Sequence, residues 1–191
     1  IDGDTFSAPA HTSPITLRKL AGQAKAVGLL DLSSLTDLDS IMTAFPSRDV
    51  PNGLTETLKG YRQFYIAESE KYAHVTYFMN GGYADVLRGE QRMRVPSANV
   101  KFAKDLPEMR AAIITDEVIR RLQTDLHDFV CINYANADMV AHSGNIAATR
   151  KAVETVDQQL GKLADMVVKK VVHLVVTSDH GNAEVMLDEA T

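Results

Sequence analysis

Two short runs near the C-terminus constrain this chain more than any other feature: NYANADMVAHSG at residues 133–144 and TSDHGNAE at residues 177–184. Each pairs a carboxylate with an imidazole: Asp138 with His142, and Asp179 with His180. Each follows an apolar run that reads as a buried strand, over residues 128–134 and 171–176. Between them Ile146, Val153, Val156, Leu160, Leu163 and Val167 recur at the spacing of one helix face, with Lys151, Glu154, Asp157 and Lys162 on the other. Strand, loop, helix, strand, loop is a βαβ unit with a right-handed crossover. Both Asp/His loops then leave the C-terminal ends of parallel strands, where open α/β sheets place their ligands. Two carboxylates and two imidazoles on one sheet edge suit a transition metal.

The plainer reading of each pair stands beside this one. An Asp four residues before a His faces it across one helical turn, and Asp-His-Gly also reads as a strand-to-helix turn capped by Asp179. It is the coincidence of both pairs at one edge that favours metal. His173, inside the second apolar run, reads as a packed histidine. Ser143 and Ser178 flank the candidate ligands and read as caps rather than nucleophiles.

The rest of the chain supplies context. Its 191 residues suit one domain, or a domain plus a piece of another. With 45% hydrophobic and 24% charged residues it can bury a core. A net charge of −5 gives no reason to expect a nucleic-acid or anionic-membrane partner. No run reaches the ~18 apolar residues of a membrane span. The single Cys131 excludes an internal disulfide framework, fits a reducing compartment and reads as a buried, inert thiol.

Helical spacing at Leu17, Leu20, Ala24 and Val27 predicts a helix ending at Gly28. Asn52 is expected to cap a helix running to about Arg62, followed by a strand at residues 64–67. Residues 68–71 form a charged break, read as a solvated turn or, at Lys71, as a point charge offered to a phosphate. Residues 74–79 read as a strand or another buried element, ended by the glycines of Asn80-Gly-Gly. Residues 83–107 predict loops with one edge strand, and their arginines read as solvated. Met109, Ile113, Val118 and Leu122 predict a helix over residues 108–123.

Several runs together resemble the cofactor-independent (2,3-bisphosphoglycerate-independent) phosphoglycerate mutases: ESEKYAHVTYFMNGG at 68–82, VPSANV at 95–100, the 133–144 run, AVETVD at 152–157 and the 177–184 run. They occur in the family's order and spacing over residues 53–191. The run around Lys71 is specific to that family, whereas Asp-His-Gly is shared across the alkaline phosphatase superfamily. The resemblance implies an alkaline phosphatase-like α/β domain over residues 51–191, with a mostly parallel sheet flanked by helices. Residues 1–50 would be a remnant of a second, phosphoglycerate-binding domain. It also implies a cytoplasmic, monomeric glycolytic isomerase that interconverts 3- and 2-phosphoglycerate through a phosphoserine and two divalent metal ions, usually manganese. Asp138 and His142 would bind one ion, Asp179 and His180 the other, and Lys71 would contact the phosphoryl group.

The departures from the family are specific. The phosphorylated serine and an aspartate ligand of the second ion belong to a more N-terminal portion. A further histidine ligand of the first ion is expected beyond Thr191. The family's substrate-gripping arginine pair has no counterpart before Arg18. Ala137, Ala141 and Ser178 replace the usual proline, glycine and alanine. The chain is therefore expected to be a C-terminal part of such an enzyme, inactive alone. The competing readings are another metal-dependent phosphomutase or phosphohydrolase, and a non-catalytic remnant.

Overall fold

The computed structural model describes residues 50–186 apart from positions 88, 125 and 171, together with two backbone strands at 27–30 and 42–45. The chain divides into two compact units, Ile1–Asp49 and Val50–Thr191. In the first, β1 (Val27–Leu30) pairs in parallel with β2 (Met42–Phe45). Val27 and Gly28 thus belong to a strand, not to the end of a helix. The helix expected from Leu17 to Ala24 lies outside the described residues.

The second unit is built on β3 (Gln63–Glu68), whose six residues are all buried. It pairs in parallel with β4 (Glu90–Val95) on one side and with β5 (Phe129–Asn133) on the other. The order β4-β3-β5 puts the most deeply buried strand at the centre. Its side chains alternate between two covered faces, as the period of two requires. Phe64 and Ile66 pack with Val95, Ile114, Val118 and Leu163. Tyr65 and Ala67 pack with Val75, flanked by Met79, Phe129 and Cys131. The first face is closed by α2 (Ala111–Gln123) and α4 (Ile146–Lys170), the two amphipathic helices legible in the sequence. This is an α/β unit with a parallel sheet flanked by helices, as expected.

Four local expectations change. The helix after Asn52 is a single turn, α1 (Leu54–Thr57). Asn52 does not cap it through its side chain; its backbone has φ 60° and its N–H donates to Glu56 Oε2 at 3.0 Å. Residues His74–Phe78 are helical rather than extended, wound with the wide i→i+5 spacing. Their apolar content serves burial either way: Val75 and Thr76 face inward while Tyr77 and Phe78 stay exposed. Among the arginines of the 88–94 stretch, position 88 lies outside the described residues. Arg92 is not a solvated charge, because it bonds buried Glu90 at 2.6 Å and the carbonyl of Ala84 at 2.9 Å. The edge strand itself forms as β4.

The largest correction concerns residues 171–176. Position 171 lies outside the described residues, and 172–176 form no strand. Val175 is 82% exposed and Val176 62%. A strand is defined by its ladder, and among the described residues nothing pairs with this run. Nor is the outer edge of β5 paired among them, and β5 is half-buried along its whole length. The expected βαβ unit is thus present as β5, α4 and an extended, unladdered tail. Accordingly His173 is exposed, not packed in a strand. Cys131 is half-buried rather than fully buried, and burial pushes its thiol up to about 11. No helix among the described residues is long and apolar enough to cross a membrane.

Candidate metal and phosphate site

Parallel pairing places the C-terminal ends of β3 and β5 side by side, with Ala67 opposite Asn133. The chain leaves β3 through Glu68 into a tight 3-10 turn, Ser69–Lys71. It leaves β5 into a short helix, α3 (Asn136–Ala141). These exits bring Lys71 and Asp138 together at one edge.

The turn that carries Lys71 is held from several sides. Buried Glu68 accepts the Arg110 backbone N–H at 3.0 Å, tying the end of β3 to the start of α2. Burial pushes the Glu68 carboxyl above the usual range despite that bond. Ser97, beyond β4, donates its hydroxyl to Glu70 and its N–H to Ser69 Oγ at 3.3 Å. Lys71 is therefore not in a solvated turn; only 6% of it is exposed. The α3 side is anchored by buried Asn136, whose amide donates to the carbonyls of Pro107 and Glu108, both at 2.9 Å.

Asp138 is the hub. Lys71 Nζ lies 2.5 Å from its Oδ2, with both side chains mostly buried. His142 Nε2 lies 3.3 Å from its Oδ1, one helical turn on. His180 Nε2 is 4.0 Å from Oδ2 and 3.8 Å from Asp179 Oδ1. Asn182 Nδ2 donates to Oδ1 at 2.7 Å. Burial alone would raise the Asp138 carboxyl; hydrogen bonds from Lys71 and Asn182, with the Lys71 charge, outweigh it and hold the group below the usual range. Lys71, His142 and His180 thus come together around Asp138, and Asp179 lies beside its neighbour His180. Asn182 was not singled out, although it sits in the same TSDHGNAE run. An Asn two residues after the candidate ligand His180 was the available signal.

Two oxygens and two imidazole nitrogens suit a divalent ion chemically. The 3.3 Å between His142 Nε2 and Asp138 Oδ1 is the span of two donors sharing one ion at bonds of about 2.1 Å. Among the described residues, however, no three His, Cys, Asp or Glu side chains already form a cage. Both oxygens of Asp138 instead face nitrogen donors. The two serines act locally: Ser143 Oγ donates to the Val140 carbonyl at 2.6 Å, and Ser178 Oγ to the His180 carbonyl.

A family model for the metalloenzyme superfamily matches residues 11–191. The 2,3-bisphosphoglycerate-independent phosphoglycerate mutase of Helicobacter hepaticus is 44% identical over 165 residues, which cover 84% of this chain and 34% of that protein. The enzyme of the same name from Ehrlichia ruminantium (strain Gardel) is 42% identical over 180 residues, covering 93% of this chain and 34% of its own length. Among solved structures, the phosphoglycerate mutase of Leishmania mexicana, crystallised at low cobalt concentration, is 33% identical with a TM-score of 0.72. That match covers 82% of this chain and 29% of the other. The chain spans about a third of the length of the curated relatives it matches. It belongs to the metalloenzyme superfamily, and the relatives it matches there are 2,3-bisphosphoglycerate-independent phosphoglycerate mutases.

Proposed function

We propose that this chain is the C-terminal part of a 2,3-bisphosphoglycerate-independent phosphoglycerate mutase, and that its sheet edge is the metal-bearing side of a phosphoryl-transfer centre acting on 3- and 2-phosphoglycerate. The observation that carries the proposal is the meeting of Lys71 with both Asp/His pairs around Asp138.

In this reading Asp138 and His142 hold one divalent ion, and Asp179 and His180 hold the other, with Mn²⁺ the proposed occupant. When bound, such ions offset charge on the transferring phosphoryl group and lower the pKa of a serine hydroxyl. Lys71 supplies a compact positive charge for phosphoryl oxygens. Its burial keeps that charge from being dissipated in water, and the hydrogen-bonded turn around Ser69 and Glu70 fixes where it points. The nucleophilic serine, the remaining ligands and the grip on the glycerate come from the rest of the whole protein. A strand from that remainder would pair with the outer edge of β5 or with residues 172–176, which are unpaired among the described residues. The same reading implies a cytoplasmic, monomeric isomerase of glycolysis.

A coupled assay for 2-phosphoglycerate formation, with Mn²⁺ added, tests the proposal. The 191-residue chain alone is expected to show no appreciable turnover. The same chain within a protein of the relatives' length is expected to turn over at the ordinary enzyme rate of ~10 s⁻¹ and to lose that rate on Asp179→Asn. An inactive longer protein would refute the function. Ordinary turnover by the short chain would refute its dependence on the remainder.

A further inference from the structure

Residues 173–186 carry half of the candidate site, but among the described residues no ladder holds them in place. Most of their hydrogen bonds are local. Ser178 Oγ donates to the His180 carbonyl, His180 N–H to Asp179 Oδ1 at 3.1 Å, and Asn182 N–H to Glu184 Oε2 at 2.7 Å. Among the described residues, the hydrogen bonds joining this segment to the rest of the unit come from one side chain. Asn182 Nδ2 donates to Asp138 Oδ1 at 2.7 Å and to the Asp138 main-chain oxygen at 3.3 Å.

Both bonds end on one residue, so they fix more than the loop's position. Gripping a carboxylate oxygen and the carbonyl of the same residue restricts rotation of the Asp138 side chain. With Oδ1 turned toward Asn182 and His142, Oδ2 is left toward Lys71 and His180. An amide is the suitable donor for this role. It satisfies a carboxylate oxygen without adding a positive charge that would repel a cation, and without the like-charge repulsion an acid would bring.

We propose that Asn182 is a positioning residue: its amide clasps the Asp179/His180 loop onto Asp138 and orients that carboxylate, so that the two Asp/His pairs face each other before any ion binds. The role deepens the metal reading above and rests on it only where ion affinity is concerned.

The test is hydrogen exchange on the ion-free chain, followed by calorimetric titration with Mn²⁺, for the unmodified chain, Asn182→Ala and the isosteric Asn182→Asp. A hydrogen bond to a charged group sets the scale: both variants should speed exchange of the amides of residues 177–184 by about tenfold or more. The amides of β3 and α2 should be unchanged, which shows that the variants are folded. Mn²⁺ affinity should fall roughly 10- to 100-fold, as when a partner that orients a ligand is removed. Unchanged exchange at 177–184 in either variant overturns the clasp. Unchanged Mn²⁺ affinity overturns the orienting role. If the unmodified chain binds no Mn²⁺ while the exchange results are as expected, the clasp stands and the metal reading fails.

Discussion

Phe64→Ala is expected to destabilise the second unit by about 4 kcal/mol, the middle of the range for a buried aromatic residue cut back to alanine. Phe64 is fully buried at the centre of the middle strand, against Ile114, Val118 and Leu163. Its ring also carries the Arg121 guanidinium at 3.8 Å, with His127 at 5.2 Å. The truncation opens a cavity on a face that two helices close, and rigid elements on both sides of it leave little scope for collapse. Urea unfolding should show a lower midpoint with the slope unchanged. Val175→Ala is the matched control, because an 82% exposed side chain loses little: the shift should stay within about 0.5 kcal/mol. A loss below about 1 kcal/mol for Phe64→Ala would mean that the β3 face is not the core.

Lys71→Met is the second large effect. It removes one member of a mostly buried ion pair and leaves the Asp138 carboxylate facing an apolar chain. Breaking such a pair from one side costs about 3–5 kcal/mol; the lower end applies here because Asn182 still donates to the carboxylate. The sign with pH follows from Asp138. Its folded pKa is depressed, so the stabilisation is fully present above the unfolded value of ~3.9 and is lost as pH falls through the lower folded value. The gap between the unmodified chain and Lys71→Met should therefore be constant near neutrality and narrow below pH ~4. A gap that widened in acid would contradict the pairing.

How much of this could be read from residues alone depends on where the cause lay. The helices at 111–123 and 146–170 were legible because each carries its own apolar stripe. The strand expected at 64–67 was legible from its short apolar run, and the ladder extends it by one polar residue at each end. The same rule misled at 171–176, where the composition is right for a strand but a ladder needs a second strand that composition cannot guarantee. At residues 74–79 an apolar run with aromatic and β-branched residues is compatible with either period, and helical winding won. The approach of His180 to Asp138 was expected from two strands ending at one edge, but it occurs without the second strand, because 172–176 form none. Lys71 was harder, since two glutamates beside a lysine look like a solvated turn; only its partner across the sheet, Asp138, explains its burial. Asn182 also bonds a partner distant in sequence, Asp138, and its place two residues after His180 was the only local hint.

The central claim is that two Asp/His pairs at this edge hold divalent ions, and Mn²⁺ titration calorimetry on point variants measures it most directly. His142→Ala and Asp179→Asn should each weaken binding by roughly tenfold or more, the scale set even by lost ligand-orienting partners. His173→Ala should bind as the unmodified chain does, because that imidazole is exposed on the unladdered run ahead of the site. Equal weakening by all three variants, or an unmodified chain that binds no Mn²⁺, would contradict the account.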